Sequence, residues 1–481
     1  MPGGLIQLAV YGAQDYYLTS NPQISFFKSV YRRYTNFSME MINLVPTLSN
    51  KLLDPTKPLQ ITFTINRQGD LFKDVYFIFE LPDIYSDGTT QFQWINRIGE
   101  YIIAQVDFNL GNRKIDTQYG EWMHIWSEVS LEESKIDGYN RMIGNVPEVY
   151  DPTTANGGTY PIATAVLPSI RSRRVYVPLR FWFNENYGSA FPLIAVQYDS
   201  EPTIVLTLRP LNELYTIIDA STGFRVKPNP SNTPSQNIGY YLSYNSATPA
   251  NGLDIIPNID INYIFLDRDE RKRFALAEHE YLIKQIQLVS DQFIPGTLNN
   301  NTGTLELKIQ HPVSSLYWVL RRSDYEEANQ WFNYTNWAIQ SKPPYFYPTT
   351  YNPFQADIPI TTDNYTAITE KNLVQSGTLL LNGVNRFDNK TWEFFNLTNN
   401  YQHQRRMPDD GIYGYSFSIE NDNKYQPSGT CNMSRFNKIQ LQLELLQSIP
   451  NTNYTYRIYV FAVNYNIFRM LGGMGDIEFS S

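Results

Sequence analysis

Residues 59–66, LQITFTIN, put Leu59, Ile61, Phe63 and Ile65 on one side of an extended chain and Gln60, Thr62, Thr64 and Asn66 on the other. A side-chain period of two is what a strand needs when one face meets a core and the other meets water. The alternation returns far downstream in NKIQLQLEL, where Ile439, Leu441, Leu443 and Leu445 face in while Lys438, Gln440, Gln442 and Glu444 face out. Both halves of the chain are therefore β. Further strands are expected at 74–80, 101–108, 175–183, 203–209, 260–266, 281–288, 304–309, 314–321, 411–419 and 454–465. They are short and separated by Pro, Asn, Gly and Ser turns, as in sandwiches and barrels.

Helical periodicity is scarce. In EWMHIWSEVSLEES, Trp122, Ile125, Trp126 and Val129 recur at helical spacing, predicting one amphipathic helix over 121–134. DRDERKRFALAEHE, 267–280, reads as a short helical connector between two β domains. At 481 residues, two domains are the expected number. Two loops, 219–256 and 341–374, exceed hairpin length, and the second contains SKPPYFYPTTYNPF. Long loops in a compact β fold are exposed or functional, and these are too aromatic to be linkers. No internal sequence repeat is evident, so any duplication must be structural.

A net charge of −9 disfavours a protein whose main work is neutralising phosphate. The clusters Arg171, Arg173, Arg174 and Arg271, Lys272, Arg273 are short enough to be solvated faces. With Cys431 as its single cysteine, the chain forms no intrachain disulfide and suits a reducing compartment. The opening stretch GGLIQLAVYGAQDYYLTSNPQISFFKSVYRRYTNFS has its first basic residue at Lys28, and Gln7, Gln14 and Asp15 break its apolar run. It therefore lacks the pattern of a secretory signal, and no window approaches the ~20 apolar residues of a spanning helix.

Catalytic patterns fail one by one. His279-Glu280 begins a zinc-protease motif, but position 283 is Ile, and the four histidines (His124, His279, His311, His403) are widely spaced. DRDERKR and ENDNKY lack the glycine and the alternating carboxylates of a calcium loop. GGMGD, 472–476, does not follow phosphate-cradling spacing. Glu132 and Glu133 are consecutive on the expected helix and point apart, which does not suit a glycosidase pair. Cys431 reads better as a small buried residue than as a nucleophile. The aromatic clusters Trp331, Phe332, Tyr334, Trp337 and Tyr345, Phe346, Tyr347 could stack sugars, although core or interface packing is the commoner use. The chain is expected to be no enzyme and to carry no cofactor or metal.

Ten ordered blocks carry a resemblance that runs almost the length of the chain. They are YGAQDYYLTSNPQISFFKSVYRRYTNFS, NRQGDLF (66–72), YGEWMHIWSE (119–128), YVPLRFWFN (176–184), PLIAVQY (192–198), YIFLDRDERKRFA (263–275), HEYLIKQIQ (279–287), YGYSFSIE (413–420), QPSGTCNMSRF (426–436) and NYNIFRMLGGMG (464–475). In these the sequence resembles the major capsid proteins of nucleocytoplasmic large DNA viruses, of the algal virus, iridovirus, marseillevirus and mimivirus type. One departure is visible. The family commonly ends this motif G-M-G-G-L, whereas this chain has Gly473-Met474-Gly475-Asp476-Ile477, leaving the last turn open.

The resemblance implies an all-β double jelly roll, two eight-stranded antiparallel sandwiches side by side with a few short helices in the connections. It divides the chain into an N-terminal arm (1–24), a first roll (25–267), a connector (268–278) and a second roll (279–481). It implies pseudo-hexagonal homotrimers that tile an icosahedral shell, with neighbouring capsomers and minor capsid proteins as partners. No direct nucleic-acid contact is expected, and the chain does not span a membrane, although the shell can lie beside an internal viral membrane. The place of work is the virion, after assembly in the host cytoplasm. The arm and the segment after it carry the candidate assembly residues Leu5, Ile6, Leu8, Tyr11, Tyr16, Tyr17, Phe26, Phe27, Tyr31, Arg32 and Arg33. Two alternatives stay open: a minor or vertex-associated paralogue of the same fold, and a carbohydrate-binding or carbohydrate-active jelly roll.

Overall fold

The computed structural model describes residues 2–47, 52–197, 201–218, 225–229, 236–244, 252–295, 302–337, 371–423, 425–446 and 455–480. The chain falls into two units, Met1–Phe37 and Ser38–Ser481. Most of the loop 341–374, with Tyr345, Phe346 and Tyr347, and parts of the loop 219–256 lie outside the described residues.

Eight strands build a first sandwich: β1 (Phe37–Leu44), β2 (Leu59–Thr64), β3 (Leu71–Leu81), β4 (Ile103–Leu110), β5 (Arg113–Tyr119), β6 (Arg173–Pro178), β7 (Pro202–Leu208) and β8 (Asn258–Leu266). They pair in two sheets, β1-β8-β3-β6 and β2-β7-β4-β5. Eight more follow: β9 (His279–Pro295), β10 (Thr302–Glu306), β11 (Pro312–Arg322), β12 (Val374–Leu381), β13 (Val384–Thr391), β14 (Ile412–Ser416), β15 (Ile439–Leu445) and β16 (Thr455–Leu471). Their sheets are β9-β16-β11-β14 and β10-β15-β12-β13. Adding eight to each strand number of the first sandwich gives the second. The fold is a jelly roll made twice by sequences that share no visible repeat.

Alternation explains the layering. Val75, Phe77 and Phe79 of β3, Ile259 and Ile261 of β8, Ile61 and Phe63 of β2, and Ile204, Leu206 and Leu208 of β7 fill the first roll. Leu316, Trp318 and Leu320 of β11, Ile458 and Val460 of β16, and Leu441 and Leu443 of β15 fill the second. Each such side chain removed from water contributes about 1.5–3 kcal/mol. Cys431 is a free thiol, so packing of this kind takes the place of covalent ties.

Several elements differ from the sequence expectation. The helix expected over 121–134 is Gly120–Ser130, and Glu132 and Glu133 lie beyond its end. The strand expected to reach residue 183 stops at Pro178, and Trp182–Asn184 turn to bury Trp182 and Phe183. Tyr101 closes the one-turn helix Ile98–Tyr101 instead of opening a strand. Strands β5, β12 and β13 carry too weak an alternation to be expected; on β13 only Phe387 is buried.

The connector forms the helix Arg268–Leu276, with Asp267 accepting from the Arg268 N–H and with Asp269 and Glu270 in its first turn, where carboxylates suit the helix dipole. Arg271 holds it to Asp70, 2.9 Å away, and the His279 Nε2–H donates to the Phe274 carbonyl near its end (2.7 Å). At the far end of the chain, Gly472 and Gly473 both have positive φ and close a two-residue hairpin between β16 and Met474–Ile477. Asp476, the departure from the family motif, pairs with Arg113 of β5 (3.3 Å).

Gly120 shows how closely the helix abuts the first roll. A Cβ there would stand 2.2 Å from the Ile103 carbonyl oxygen and 2.4 Å from that of Glu100, both rigid backbone. Gly120→Ala is expected to cost about 4 kcal/mol or more, measured by urea unfolding, or to leave no soluble folded protein.

Candidate assembly surfaces and the seam between the rolls

The helix Gly120–Ser130 follows β5 without a loop and is buried along almost its whole length. Trp122 lies against Tyr317 of β11 and Phe461 of β16, each at 5.6 Å between ring centres. Tyr101 stacks on Trp331 at 4.9 Å, and the His124 ring lies 4.4 Å from that of Phe332. Trp182 and Phe191, in the β6–β7 connection, pack on Phe468 of β16 at 5.6 and 5.8 Å. Trp331, Phe332, Tyr334 and Trp337 are thus buried, and no sugar can reach their faces. Trp331, Phe332 and Tyr334 join the rolls through Tyr101 and His124, and Trp337 packs within the second roll.

Several polar groups caught in this seam pair across it. Glu121 pairs with Arg209 of its own roll and lies 3.8 Å from Arg321 of β11. The Arg321 guanidinium is 2% exposed, sits 5.2 Å from the Trp331 ring and 5.1 Å from that of Tyr459, and donates to the Trp331 carbonyl (2.8 Å). Removing one partner from a buried pair of this sort costs about 3–5 kcal/mol. Asn329 donates to the carbonyls of Asn212 and Tyr215, and the Trp331 Nε1–H donates to that of Glu213.

A second cluster surrounds Glu100, which is fully buried. It accepts from Tyr139 (2.6 Å) and Ser127 (3.1 Å), with Arg97 at 3.4 Å and the His124 ring nitrogen at 3.6 Å. Burial pushes its carboxyl up, and His124, Arg97 and Tyr139 outweigh that, holding it at about 2. Arg97 also pairs with Glu128, which reaches Arg406 of the second roll at 3.3 Å. Glu132 pairs with Arg405 at 3.0 Å and Glu133 with Arg406 at 3.5 Å, both at the exposed rim of the seam.

Asp116 on β5 behaves the opposite way. It accepts from the Thr117 N–H (2.9 Å) and from Gln118 (3.1 Å), with no cation beside it among the described residues, and Asp107 and Glu185 add like charge. Burial first, then those carboxylates, push it up to about 8, so it is protonated at neutral pH.

The eleven residues expected to carry assembly lie in the segment 2–33, and every one is exposed. Leu5, Ile6 and Leu8 stand on the short helix Gly3–Ala9, and Tyr16 and Tyr17 on Asp15–Thr19. Tyr11 accepts from the Thr19 hydroxyl at 3.2 Å. Phe26, Phe27 and Tyr31 are almost fully accessible, and Arg32 and Arg33 are exposed beside them. They form no enclosed site; together they offer apolar and basic surface. The basic runs on the body are partly paired, Arg174 with Glu80 and Arg271 with Asp70. Cys431 is half-buried rather than buried, and its burial pushes the thiol up.

Comparison with known proteins adds to this geometry. Residues 25–267 match the model described as the major capsid protein N-terminus, and residues 270–476 the model of the large eukaryotic DNA virus major capsid protein. The major capsid protein of Phaeocystis pouchetii virus is 33% identical over the whole of both chains. A chain of the PBCV-1 virus capsid superimposes with a TM-score of 0.70 at 26% identity, covering 95% of this chain and all of that one. The Faustovirus major capsid protein shares the fold, with a TM-score of 0.65 at 14% identity over 95% of this chain and 94% of that one. Two rolls joined side by side, each with the same strand order, define a double jelly-roll protein. The chain belongs to the family of large eukaryotic DNA virus major capsid proteins. It is a component of the capsid shell and not an enzyme.

Asp116 yields a pH test. Its folded value lies above its unfolded one, so between about pH 4 and 8 the folded state holds a proton that the unfolded state has lost, and stability falls as pH rises. Asp116→Asn should remove about 1.4 kcal/mol per pH unit of that fall, read as the difference between variant and wild-type urea unfolding at pH 5, 6 and 7.

Proposed function

We propose that three copies of the chain close into a pseudo-hexagonal capsomer and that these trimers tile an icosahedral shell. The observation that carries this reading is the repetition of one eight-strand order in both rolls, which makes each chain two similar blades of a six-bladed ring. Residues 1–24 form an arm at the capsomer base, facing the shell interior and meeting minor capsid proteins or neighbouring subunits. The segment 25–38 leads into the first strand. The exposed apolar side chains of Leu5, Leu8, Tyr17, Phe26 and Phe27 support an assembly role, because so much uncovered apolar surface marks an interaction site. The net charge of −9 supports contact with protein rather than nucleic acid. The single, free cysteine fits assembly in the host cytoplasm, and a position beside an internal membrane is compatible with a chain that does not cross it.

Light scattering on purified protein should give three times the chain mass, with hexagonal outlines in electron micrographs; a monomer at high concentration would overturn the reading. In virions this chain should be the dominant protein, and low abundance would favour the minor paralogue. Deletion of residues 2–20 is expected to leave the trimer folded and to abolish or strongly reduce shell assembly, whereas loss of the trimer would place the arm elsewhere.

A further inference from the structure

Strand β3 carries one residue more than its partner can match. Ile261 of β8 stands opposite Val75 and the next residue, Asn262, opposite Lys73, so Asp74 is a bulge in the ladder. Its φ is +53°, a left-handed conformation uncommon for residues other than glycine. Bulges of this kind re-aim side chains and gather beside functional sites.

Beside the bulge lies a cavity of about 160 Å³. Asp74 and Tyr76 come to it from β3, Arg180, Asn184 and Glu185 from the chain after β6, and Trp126 from the helix Gly120–Ser130. Asp74 and Glu185 each keep 22% of the side chain exposed, so solvent reaches the cavity. Two atoms of its lining residues, Arg180 Nε and Asn184 Oδ1, are buried without a hydrogen-bond partner among the described residues. The Asn184 amide nitrogen donates to the Leu179 carbonyl at 2.8 Å, which leaves only the oxygen open. A buried donor and a buried acceptor around one cavity require a group that can serve both.

Charge selects among such groups. Asp74 pairs with Lys73, Glu185 lies 3.5 Å from Lys284 of β9, and the Arg180 guanidinium lies 5.7 Å from the Tyr139 ring. An entering anion would meet two carboxylates, and an entering cation would meet Arg180. A neutral ligand with several hydroxyls meets neither obstacle, because each hydroxyl both donates and accepts. Burial and the neighbouring Asp74 push the Tyr76 hydroxyl up, so it too stays protonated and able to donate. Trp126 and Tyr76 add aromatic walls. A cavity of about 150 Å³ admits one six-membered ring, as benzene shows.

We infer that this cavity binds a neutral sugar through one pyranose ring. The ring packs against Trp126 and Tyr76, while its hydroxyls donate to Asn184 Oδ1 and accept from Arg180 Nε. Asp74 and Glu185 accept further hydroxyls at the open side. The rings of Trp331, Phe332, Tyr334 and Trp337 take no part, and sugar binding is a function beyond building the shell.

Calorimetry on the full-length protein tests it with glucose, galactose, mannose and N-acetylglucosamine, and with sodium sulfate and methylammonium chloride as charged probes. At least one sugar is expected to bind saturably, and neither salt. Arg180→Lys removes Nε and keeps the charge, and Asn184→Leu removes the oxygen at similar volume. Each is expected to weaken the sugar about tenfold or more without changing the thermal unfolding temperature. If either variant unfolds early, the 2-, 3-, 4- and 6-deoxy forms of the bound sugar probe the same contacts on the wild type, and at least one should bind about tenfold more weakly. A cavity that holds water only gives no saturable binding with any sugar, which overturns the inference. So does sugar binding that survives both variants or the whole deoxy series, or a salt that binds where the sugars do not.

Discussion

The contact of Trp122 with Tyr317 and Phe461 turns two sandwiches into one body. Around it the helix Gly120–Ser130 is buried on both sides, one toward its own roll and one toward the other. That double burial explains its composition. A helix on the surface of a single domain needs one apolar stripe, and a helix wedged between two must also satisfy the groups on its second face. Glu121 and Glu128 are tolerated because Arg209, Arg321, Arg97 and Arg406 converge on them from four distant positions. Gly120 is required because the helix leaves the strand with backbone already in contact.

Duplication brings a problem of edges. Each open sheet ends in a strand with unpaired N–H and C=O groups, which invites uncontrolled pairing. At β13 the solution is polar: Arg386, Asp388 and Lys390 crowd an edge with one buried residue. At β1 it is different, because Met39 and Met41 stand outward and the strand is almost wholly accessible. A charged edge protects a chain that ends there; an apolar one belongs to a protein made to be covered by its neighbours. The same contrast separates the largely desolvated seam inside the chain from the exposed rings of Tyr401 and Tyr425 on the second roll.

The strands with clean alternation, β2 and β15, were legible because one face of each is core and the other is solvent or polar. Strands β12 and β13 were not, since hydrogen bonding to a neighbour, rather than their own pattern, makes them strands. The helix was legible in type and place, but its end was misjudged by four residues' worth of charged sequence. Glu132 and Glu133 are helix formers by propensity, but the extended backbone of Leu131 ends the helix before them. The N-terminal candidates were legible as exposed aromatic and aliphatic sequence, and each of them stands accessible on its segment. The exposed residues of the second roll, Leu397, Tyr401, Ile419 and Tyr425, were not, because an isolated aromatic looks the same whether a core or a neighbour covers it.

By itself the sequence determined that the chain is β throughout, that packing without disulfides must hold it, and that ordered motifs tie it to a capsid family. Those properties are local: a period of two, one cysteine, and short blocks read in order. Only the tertiary structure decided that the two halves share one strand order, that Asp116 is neutral while Glu100 is charged, and which aromatic rings face inward. Each of these depends on what separate elements bring to the same place. Glu100 is held charged by Arg97, three residues before it, together with His124 and Tyr139 from other elements, whereas burial and the like charge of Asp107 and Glu185 keep Asp116 protonated, and no pattern along the chain records which of these environments a carboxylate meets.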